Sequence, residues 1–334
     1  MSEIVKQWVG IDIGCGFHEA CVVEERLRQR HRIQNTPDGR TKFIRQLDAS
    51  RCRVVMEATG VYYLDLALEL DEAGVEVMVV NPKVMHHYAK VKGKRSSTDV
   101  ISAELMADYA QRMLFQPWEP PSADLFELRA IGRHLNRLTH QRTVQRNRLH
   151  ALQSSKQGPK ILIRDEKQAI KTLNRRIERM EKEAWRLINQ RPEIRRICDH
   201  ITTTKGFAQR SAIMVVSELL LVPRTLSAKQ CACHAGLDVR LRKSGSSVEK
   251  KPRLSKWGNA YLRAALYLPV LSAVRHDPIA RAHYLKLQQR GKTKMTALGA
   301  MMRKYLTGIW ATMKTDQPFD TAKLFEIRPE QPTP

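Results

Sequence analysis

The sequence predicts a mixed α/β domain followed by a mostly helical region, and two patterns support this prediction. Over residues 1–120, short β-branched runs alternate with segments whose apolar residues have helical spacing. From residue 123 onward, Leu and Ile recur every three or four positions, and Arg and His fill the positions between them. The Pro-rich stretch QPWEPPS (116–122) separates the two patterns and is the predicted boundary.

The first elements are predicted to be strands. QWVGIDIG (7–14) forms the first strand, and EACVVEE (19–25) and RHRIQNT (30–36) continue the strand-like alternation up to a turn at PDG. TKFIRQLDA (41–49) is then a helix, and CRVVMEATG (52–60) contains a short buried strand that ends at Glu57. An antiparallel opening followed by strand–helix–strand alternation predicts a mixed sheet.

Three further elements complete the domain over residues 1–120. YYLDLALELDEAG (62–74) has helical apolar spacing and a Gly stop, and VEVMVVNP (75–82) is a strand closed by Asn-Pro. TDVISAELMADYAQRM (98–113) is a helix that begins near Thr98 or Asp99.

Residues 121–198 are predicted to form a basic helical hairpin or coiled-coil arm. Two helical stretches are joined by a Gly-Pro turn, and the second has heptad-like apolar spacing. The surplus of Arg over acid in the first stretch favours an arm that faces nucleic acid, and a salt-bridged spacer is the alternative.

Residues 199–325 are predicted to form a mostly helical C-terminal domain that carries a serine-rich loop, with 326–334 as a flexible tail. Gly206 precedes an amphipathic helix whose first backbone amides could hold a DNA phosphate. An ordinary packing turn at Gly206 is the alternative.

Composition points to a polyanionic partner. The chain has 334 residues, with 58 Lys and Arg against 34 Asp and Glu, and a formal net charge of +24. Neutralising phosphates and releasing their counterions supplies most non-specific nucleic-acid affinity, so this charge predicts nucleic-acid binding. Hydrophobic residues make up 42% of the chain, which favours a folded protein with basic faces over a wholly solvated basic chain.

The six cysteines and the N-terminus indicate the compartment. No pair of cysteines has the C-x-x-C spacing of a zinc site, so we expect reduced thiols. The N-terminus has no apolar signal core, and no run approaches the length of a membrane span. We expect a cytoplasmic protein with no membrane partner.

Three carboxylates on separate elements suggest a metal site. Asp12 lies inside the first strand, Glu57 ends a buried strand and Asp99 begins a helix. Acids that converge at strand ends can bind divalent cations, which stabilise the oxygens of a phosphodiester transfer. Each acid also has an ordinary alternative: a surface group beside a turn for Asp12, a salt-bridge partner for Glu57 and a helix N-cap for Asp99.

The segment RLRKSGSSVEKKPRLSKWG (240–258) is a second candidate site. Its serines Ser244, Ser246 and Ser247 lie in a loop with Gly and many cations, as a hydroxyl nucleophile on DNA requires. A flexible linker that only contacts phosphate is the alternative. The basic residues expected to bind the nucleic-acid backbone are Arg240, Arg242, Lys243, Lys250, Lys251, Arg253 and Lys256.

Seven segments in order resemble the pilin-invertase-like DEDD transposases of bacterial insertion sequences. They are VGIDIG, VVMEATGVYY, VVNPKVMHHYAK, STDVISAELMADYAQ, CHAGLDVRLRKSGSSV, RLSKWGNAYLRAALY and GAMMRKYL. The resemblance implies an RNase H-like (RuvC-type) domain and a C-terminal transposase domain. It also implies a structured bridge RNA that pairs with donor and target DNA, and a homo-oligomer, dimer or tetramer, with catalytic sites composed of residues from different subunits. A bacterial, nucleoid-associated protein is expected on the same basis.

Residue by residue, Asp12, Glu57 and Asp99 match the first three acids of the family's four-acid Mg²⁺ site. Ser244 matches its covalent serine nucleophile, with Ser246 and Ser247 as the other choices. The family motif T-D-x-x-D-A has its fourth acid where this chain has Ser102. A serine there would be a weak additional ligand.

No nearby acid is expected to replace the missing one. On a helix of about 100° per residue, the side chains of Glu104 and Asp108 point away from the face of Asp99.

These observations predict a Mg²⁺-dependent DNA transposase or site-specific recombinase with a serine nucleophile and a guide RNA. Two alternatives stay open. One is a junction-resolving metal nuclease in which water attacks the phosphate. The other is a nucleic-acid-binding protein whose catalysis is weakened by Ser102.

Overall fold

A five-stranded mixed sheet organises the first part of the chain. The computed structural model describes residues 7–25, 27–94, 98–244 and 248–325, and the chain divides into two units, 1–120 and 121–334. The strand order in the first unit is β3-β2-β1-β4-β5, with β1 antiparallel to β2 and parallel to β4. The strands are β1 (Gln7–Asp12), β2 (Phe17–Glu24), β3 (Leu27–Gln34), β4 (Cys52–Glu57) and β5 (Glu76–Val80).

This arrangement confirms the predicted mixed α/β sheet, and the RNase H-like assignment stays a prediction. Helices cover both faces of the sheet because successive strand residues point to opposite sides. On one face, Val9 and Ile11 pack with Leu66 and Leu70 of a helix. On the other, Val55 packs with residues that include Leu105 and Met106. The helices are α1 (Pro37–Ile44), α2 (Leu64–Glu72), α3 (Pro82–Val91) and α4 (Asp99–Arg112).

Two helix starts differ from the sequence prediction. The predicted turn at PDG is the first turn of α1, where the Thr36 hydroxyl accepts a hydrogen bond from Gly39 N at 3.2 Å. Helix α3 was not predicted. Its N-cap is Asn81, whose Oδ1 accepts from Lys83 N at 2.9 Å. In both cases a capping side chain stands directly before a proline, and the same pair of residues suits either a turn or a helix start.

The second unit is helical around a single β-hairpin in its described part. Strands β6 (Val239–Ser244) and β7 (Val248–Leu254) pair antiparallel. The helices are α5 (Ala123–Ser154), α6 (Lys160–Asn189), α7 (Pro192–Thr202), α8 (Gln209–Leu219), α9 (Ala228–His234), α10 (Ala260–His276), α11 (Pro278–Gln289), α12 (Lys294–Thr315) and α13 (Thr321–Phe325).

Helices α5 and α6 lie against each other in the region where a helical hairpin was predicted. Arg142 Nη1 donates to Asn174 Oδ1 at 3.2 Å, and these residues lie at similar distances on either side of the connecting turn, so the helices run antiparallel. Leu135 and Leu138 of α5 and Ile177 of α6 belong to the same apolar core as α7, α8, α10 and α12. The division of this unit at residue 198 stays a prediction, as does the coiled-coil character of the arm.

The predicted serine loop is mostly a hairpin. Val239 pairs with Leu254, and Ser244 pairs with Val248. Both strands are edges of a two-stranded sheet, which is why Pro252 is tolerated within β7. The base is closed by a hydrogen bond from Ser255 N to Asp238 O at 2.9 Å and by one from the Ser255 hydroxyl to the Asp238 carboxylate.

Two further findings concern membrane-spanning helices and the cysteines. Within the described residues, no helix is long and apolar enough to cross a membrane. All six cysteines are free thiols, with Cys15 and Cys233 exposed and the other four buried.

Candidate active site

Helix α4 lies directly against β1, and Gly10 makes this possible. A Cβ atom at position 10 would lie 2.1 Å from Ala103 O and 2.2 Å from Ala107 N. Because both atoms belong to the helix backbone, a larger residue at position 10 would displace α4. The close approach therefore determines where the start of α4 lies relative to the end of β1.

The candidate carboxylates share one face of the sheet. Asp12 follows Gly10 by two residues, and Glu57 follows Val55 by two residues, so both side chains point to the face that α4 covers. Asp99 lies one helical turn before Ala103, about 6 Å along α4. Asp12 lies about 7 Å along β1 from Gly10. The three acids therefore converge at one end of the sheet.

The pKa of Asp12 reflects the closeness of the three acids. Burial, followed by the negative charges of Asp99 and Glu57, raises the pKa of Asp12 to about 6. A hydrogen bond from the backbone of Ile13 acts in the opposite direction without cancelling these effects. The carboxyl group is thus crowded by negative charge in the absence of a cation.

The contacts of the three acids argue against their ordinary alternatives. The N-cap of α4 is Thr98, whose hydroxyl accepts from Ile101 N at 3.3 Å, so Asp99 does not have that role. Glu57 accepts a hydrogen bond from the Thr59 hydroxyl at 3.0 Å, and the described residues include no ion-pair partner for it. Asp12 ends β1 and is half-buried, so it is not a surface group.

Ser102 lies beside Glu57 in a cleft of about 440 Å³ between α3 and α4. Its backbone N–H bonds to Thr98 O at 2.9 Å within the first turn of α4. Neither neighbouring acid takes its place. Glu104 forms an ion pair with Arg30 at 2.6 Å, and Asp108 is bound by Tyr88, Lys92 and Arg112.

The chemistry of the donor set suits a hard divalent cation. Carboxylate oxygens are the ligands that Mg²⁺ prefers, and a cation would relieve the repulsion that raises the pKa of Asp12. Within the described ranges, no three His, Cys, Asp or Glu side chains already form a closed metal cluster. Binding a cation would therefore require the carboxylates to move towards one another.

Sequence reasoning missed four residues near this site. Glu19 is the cross-strand neighbour of Asp12 and pairs with Arg32 at 3.4 Å. Its position on the same face could have been found from the pairing of the first two strands. His86, Lys90 and Lys94 line the cleft beside Glu57 and Ser102, and they were missed because α3 was not predicted.

The serine candidates lie in the second unit. Ser244 is the last residue of β6 and pairs with Val248, the first residue of β7. Ser246 and Ser247 lie outside the described residues. The structure thus assigns Ser244 to the tip of the hairpin and does not select among the three serines.

The predicted backbone-binding cations lie along the same hairpin. Arg240 and Arg253 are exposed and directly opposite each other in the pairing register. Like charges in that position are unfavourable unless an anion lies between them. Lys256 follows β7 with a positive φ of 53°. The remaining members lie on the strands: Arg242 and Lys243 on β6, and Lys250 and Lys251 on β7.

Gly206 has a packing explanation. Its φ is +94°, and a Cβ there would lie 2.3 Å from Pro269 O and 2.6 Å from Ala273 N of α10. Glycine is therefore required by the close approach of α10, which favours the packing alternative over a phosphate-binding turn.

The chain is similar to proteins that rearrange DNA. Residues 9–155 match the family profile of DEDD transposases of IS110 elements, described as "Transposase", and residues 198–285 match "Transposase IS116/IS110/IS902 family". The pilin gene-inverting protein of Moraxella bovis is 28% identical over 94% of this chain and 98% of its own length. Its counterpart from Moraxella lacunata is 29% identical over the same shares. A probable family 20 transposase of Pseudomonas aeruginosa is 25% identical over 91% and 93%.

Proposed function

The chain belongs to the IS110 family of transposases, and on that premise we propose that it cleaves and exchanges DNA strands with Mg²⁺ as cofactor. The observation that carries the proposal is the convergence of Asp12, Glu57 and Asp99 at one end of the sheet, with the pKa of Asp12 raised to about 6 by burial and by the other two acids. Such crowding is typical of a site that binds a cation.

In this proposal the first unit, with the RNase H-like fold that the family resemblance implies, orients the scissile phosphate. Asp12, Glu57 and Asp99 hold the metal through carboxylate oxygens, and the Ser102 hydroxyl is a weaker additional ligand. When bound, Mg²⁺ supplies positive charge that stabilises the developing negative charge of the phosphate. Asp12 would be ionised in the working site, since cation binding opposes its protonation.

Ser244 is the proposed nucleophile. Its Oγ attacks phosphorus, a phosphorus–Oγ bond forms, and the bond to the deoxyribose oxygen breaks; that oxygen takes up a proton and leaves as a hydroxyl. The covalent ester retains the phosphodiester's reactivity, so a hydroxyl from another strand can reverse the attack and complete an exchange. Ser246 and Ser247 are the alternative nucleophiles. The seven basic residues from Arg240 to Lys256 named above bind the backbone.

Guidance by a structured RNA and assembly into a dimer or tetramer belong to the same proposal, as does a nucleoid-associated place in the bacterial cytoplasm. The net charge of +24 supports nucleic-acid partners. The names of the Moraxella relatives support DNA inversion as one outcome of the reaction. Sequencing the RNA that copurifies with the protein tests the guide: one enriched, structured species is expected, and random cellular RNA would contradict it.

Covalent trapping tests the nucleophile. A suicide DNA substrate, nicked so that the cleaved strand diffuses away, should leave a protein–DNA adduct in Mg²⁺ that is resolved by denaturing electrophoresis. Ser244→Ala should abolish the adduct, whereas Ser246→Ala and Ser247→Ala should retain it.

Two results would contradict this assignment. Cleavage by the unsubstituted protein without any adduct would indicate water as the nucleophile and a junction-resolving nuclease. Binding without cleavage at any Mg²⁺ concentration would indicate a protein that retains only its affinity for nucleic acid.

A further inference from the structure

The cleft beside Glu57 and Ser102 carries charge of both signs. Its edge nearest the candidate active site has the Glu57 carboxylate and the Ser102 hydroxyl, and its α3 side has His86, Lys90 and Lys94. The volume of about 440 Å³ is more than ten times what one water molecule needs. A cleft that joins an acidic site to a row of cations suits a ligand with more than one phosphate.

The cations form a row because of helix geometry. His86 and Lys90 are four residues apart and so lie on one face of α3. The helix then ends in a turn at Gly93, whose φ is +67°. Gly93 N bonds to Lys90 O at 3.0 Å and Lys94 N bonds to Ala89 O at 3.0 Å, which returns Lys94 to the helix end beside the cleft.

The lysines of the cleft differ from their neighbour Lys92. Lys92 pairs with Asp108 at 2.9 Å, and Tyr88 donates to the same carboxylate at 2.5 Å. These bonds hold α3 on α4. Among the residues the structure describes, neither Lys90, on α3, nor Lys94, three residues after its end, has an ion-pair partner. Cations that border a cleft and have no ion-pair partner are suited to binding an anion from solution.

We propose that this cleft binds a phosphate of the DNA strand, next to the phosphate on which the carboxylates act, with Lys90 and Lys94 as its ligands and His86 beside them. The inference rests on the proposed function, because it takes the strand in the cleft to be continuous with the strand being cut. The shared lining by Glu57 and Ser102 connects the two positions.

The inference also accounts for Ser102. A carboxylate at position 102 would line the same cleft as Lys90 and Lys94 and would compete with phosphate for their ammonium groups. A neutral hydroxyl leaves both cations available to the strand. The residue that weakens the metal site therefore favours the phosphate subsite.

Equilibrium binding in EDTA tests the subsite apart from catalysis. The full-length protein and its Lys90→Ala/Lys94→Ala variant are titrated into a fluorescent, mixed-sequence, single-stranded oligodeoxynucleotide at several salt concentrations. The variant should bind about tenfold more weakly, and the slope of log K against log salt should fall by about 0.7 for each lost phosphate contact, the value for single strands. The control is Lys42→Ala/Arg45→Ala, which removes the same charge from the last turn and C-cap of α1. Phe43 of this helix packs on the opposite face of the sheet.

A second pair of variants addresses the role of Ser102. Ser102→Asp should weaken DNA binding in EDTA several-fold, since the new carboxylate occupies the lysines, whereas the neutral Ser102→Asn should bind as the unsubstituted protein does. Equal effects of the two substitutions would contradict competition for the lysines.

The outcomes separate this inference from the proposed function. Equal losses in the lysine variant and the α1 control would overturn the subsite, as would a loss confined to an RNA oligonucleotide of the same sequence. Because no metal and no cleavage are involved, a failed covalent trap leaves the binding result intact. A successful trap with unchanged binding in the lysine variant would likewise overturn the subsite alone.

Discussion

The two ends of α4 carry carboxylates with opposite surroundings. At its start, Asp99 lies with Glu57 near Asp12, and burial and these charges raise the pKa of Asp12 to about 6. Near its end, burial alone would raise the pKa of Asp108, but hydrogen bonds from Arg112, Tyr88 and Lys92 lower it to about 2. The acids around Asp12 repel one another, whereas the negative charge of Asp108 is balanced by Arg112 and Lys92. The surroundings of a carboxylate, more than its residue type, distinguish a candidate metal ligand from a member of a structural ion pair.

The second unit follows the same rule. Glu218 is 3% exposed, and Arg133 donates to it at 2.6 and 3.0 Å. Asn259, the N-cap of α10, donates to it at 2.5 Å. This buried carboxylate has its hydrogen bonds and its countercharge, as a structural ion pair needs. It therefore groups with Asp108, and the acids around Asp12 remain the exception.

The largest expected effect comes from neutralising the crowded acid. Asp12→Asn should reduce Mg²⁺-dependent strand cleavage by about a thousandfold or more, as loss of a main transition-state contact does. The same variant should be more stable than the unsubstituted protein in EDTA at pH 7. A pKa raised from 3.8 to about 6 corresponds to about 3 kcal/mol at about 1.4 kcal/mol per unit, and solvent screening at this half-buried position reduces the expected gain to about 1–2 kcal/mol. Cleavage assays and urea unfolding measure the two effects.

The pH dependence of stability tests whether charge crowding at Asp12 is the cause. Since the folded-state pKa of Asp12 is raised from 3.8 to about 6, its contribution to the stability of the metal-free protein should fall as pH rises from about 4 through 6. Asp12→Asn should lack this loss, and Ser244→Ala should retain it. A variant at position 12 that is less stable than the unsubstituted protein would contradict the crowding.

The next largest effect is expected on stability, when Asp108 is neutralised. Asp108→Asn should cost about 1–2 kcal/mol of stability at pH 7 through loss of the countercharge for Lys92 and Arg112. Because the folded-state pKa is lowered from 3.8 to about 2, this stability is present above pH 4 and is lost as pH falls towards 2. Urea unfolding at a series of pH values measures it. The exposed Asp71→Asn on α2 is the matched control, with an expected change within about 0.5 kcal/mol.

The smallest expected effect is on metal affinity, when the side chain at position 102 is changed. Ser102→Asp should raise the affinity for Mn²⁺, used as a calorimetric probe of the Mg²⁺ site, by about fivefold to tenfold, because an added carboxylate increases ligand charge. Ser102→Asn should leave this affinity within about twofold. Unchanged affinity in Ser102→Asp would mean that a fourth ligand is not what limits the site.

Much of the candidate site could be predicted because its acids occupy recognisable positions. Glu57 closes a short apolar strand and Asp99 follows a capping threonine, and both signals are local. Glu104 and Asp108 could be excluded from helical periodicity alone, and the structure gives each a separate partner. The cations of α3 could not be predicted, since Asn81-Pro82 suits a strand end and a helix start equally well.

The β6–β7 hairpin also could not be predicted from local sequence. Residues 240–258, with two glycines, four serines and many cations, were predicted as a loop, yet Val239 to Ser244 pairs with Val248 to Leu254. Strand pairing depends on a partner segment and on the turn between them, and the content of one segment does not reveal it.

Local pattern and composition predicted the strands of the first unit, most of the helices, the basic character of the chain and three candidate carboxylates at element ends, but not α3 or the β6–β7 hairpin. The tertiary structure decided which acids lack countercharge, that α4 lies against Gly10, and that Lys90 and Lys94 border the same cleft as Ser102. Those properties arise from distances between residues far apart in the chain. Such distances are set by packing, which no single segment encodes.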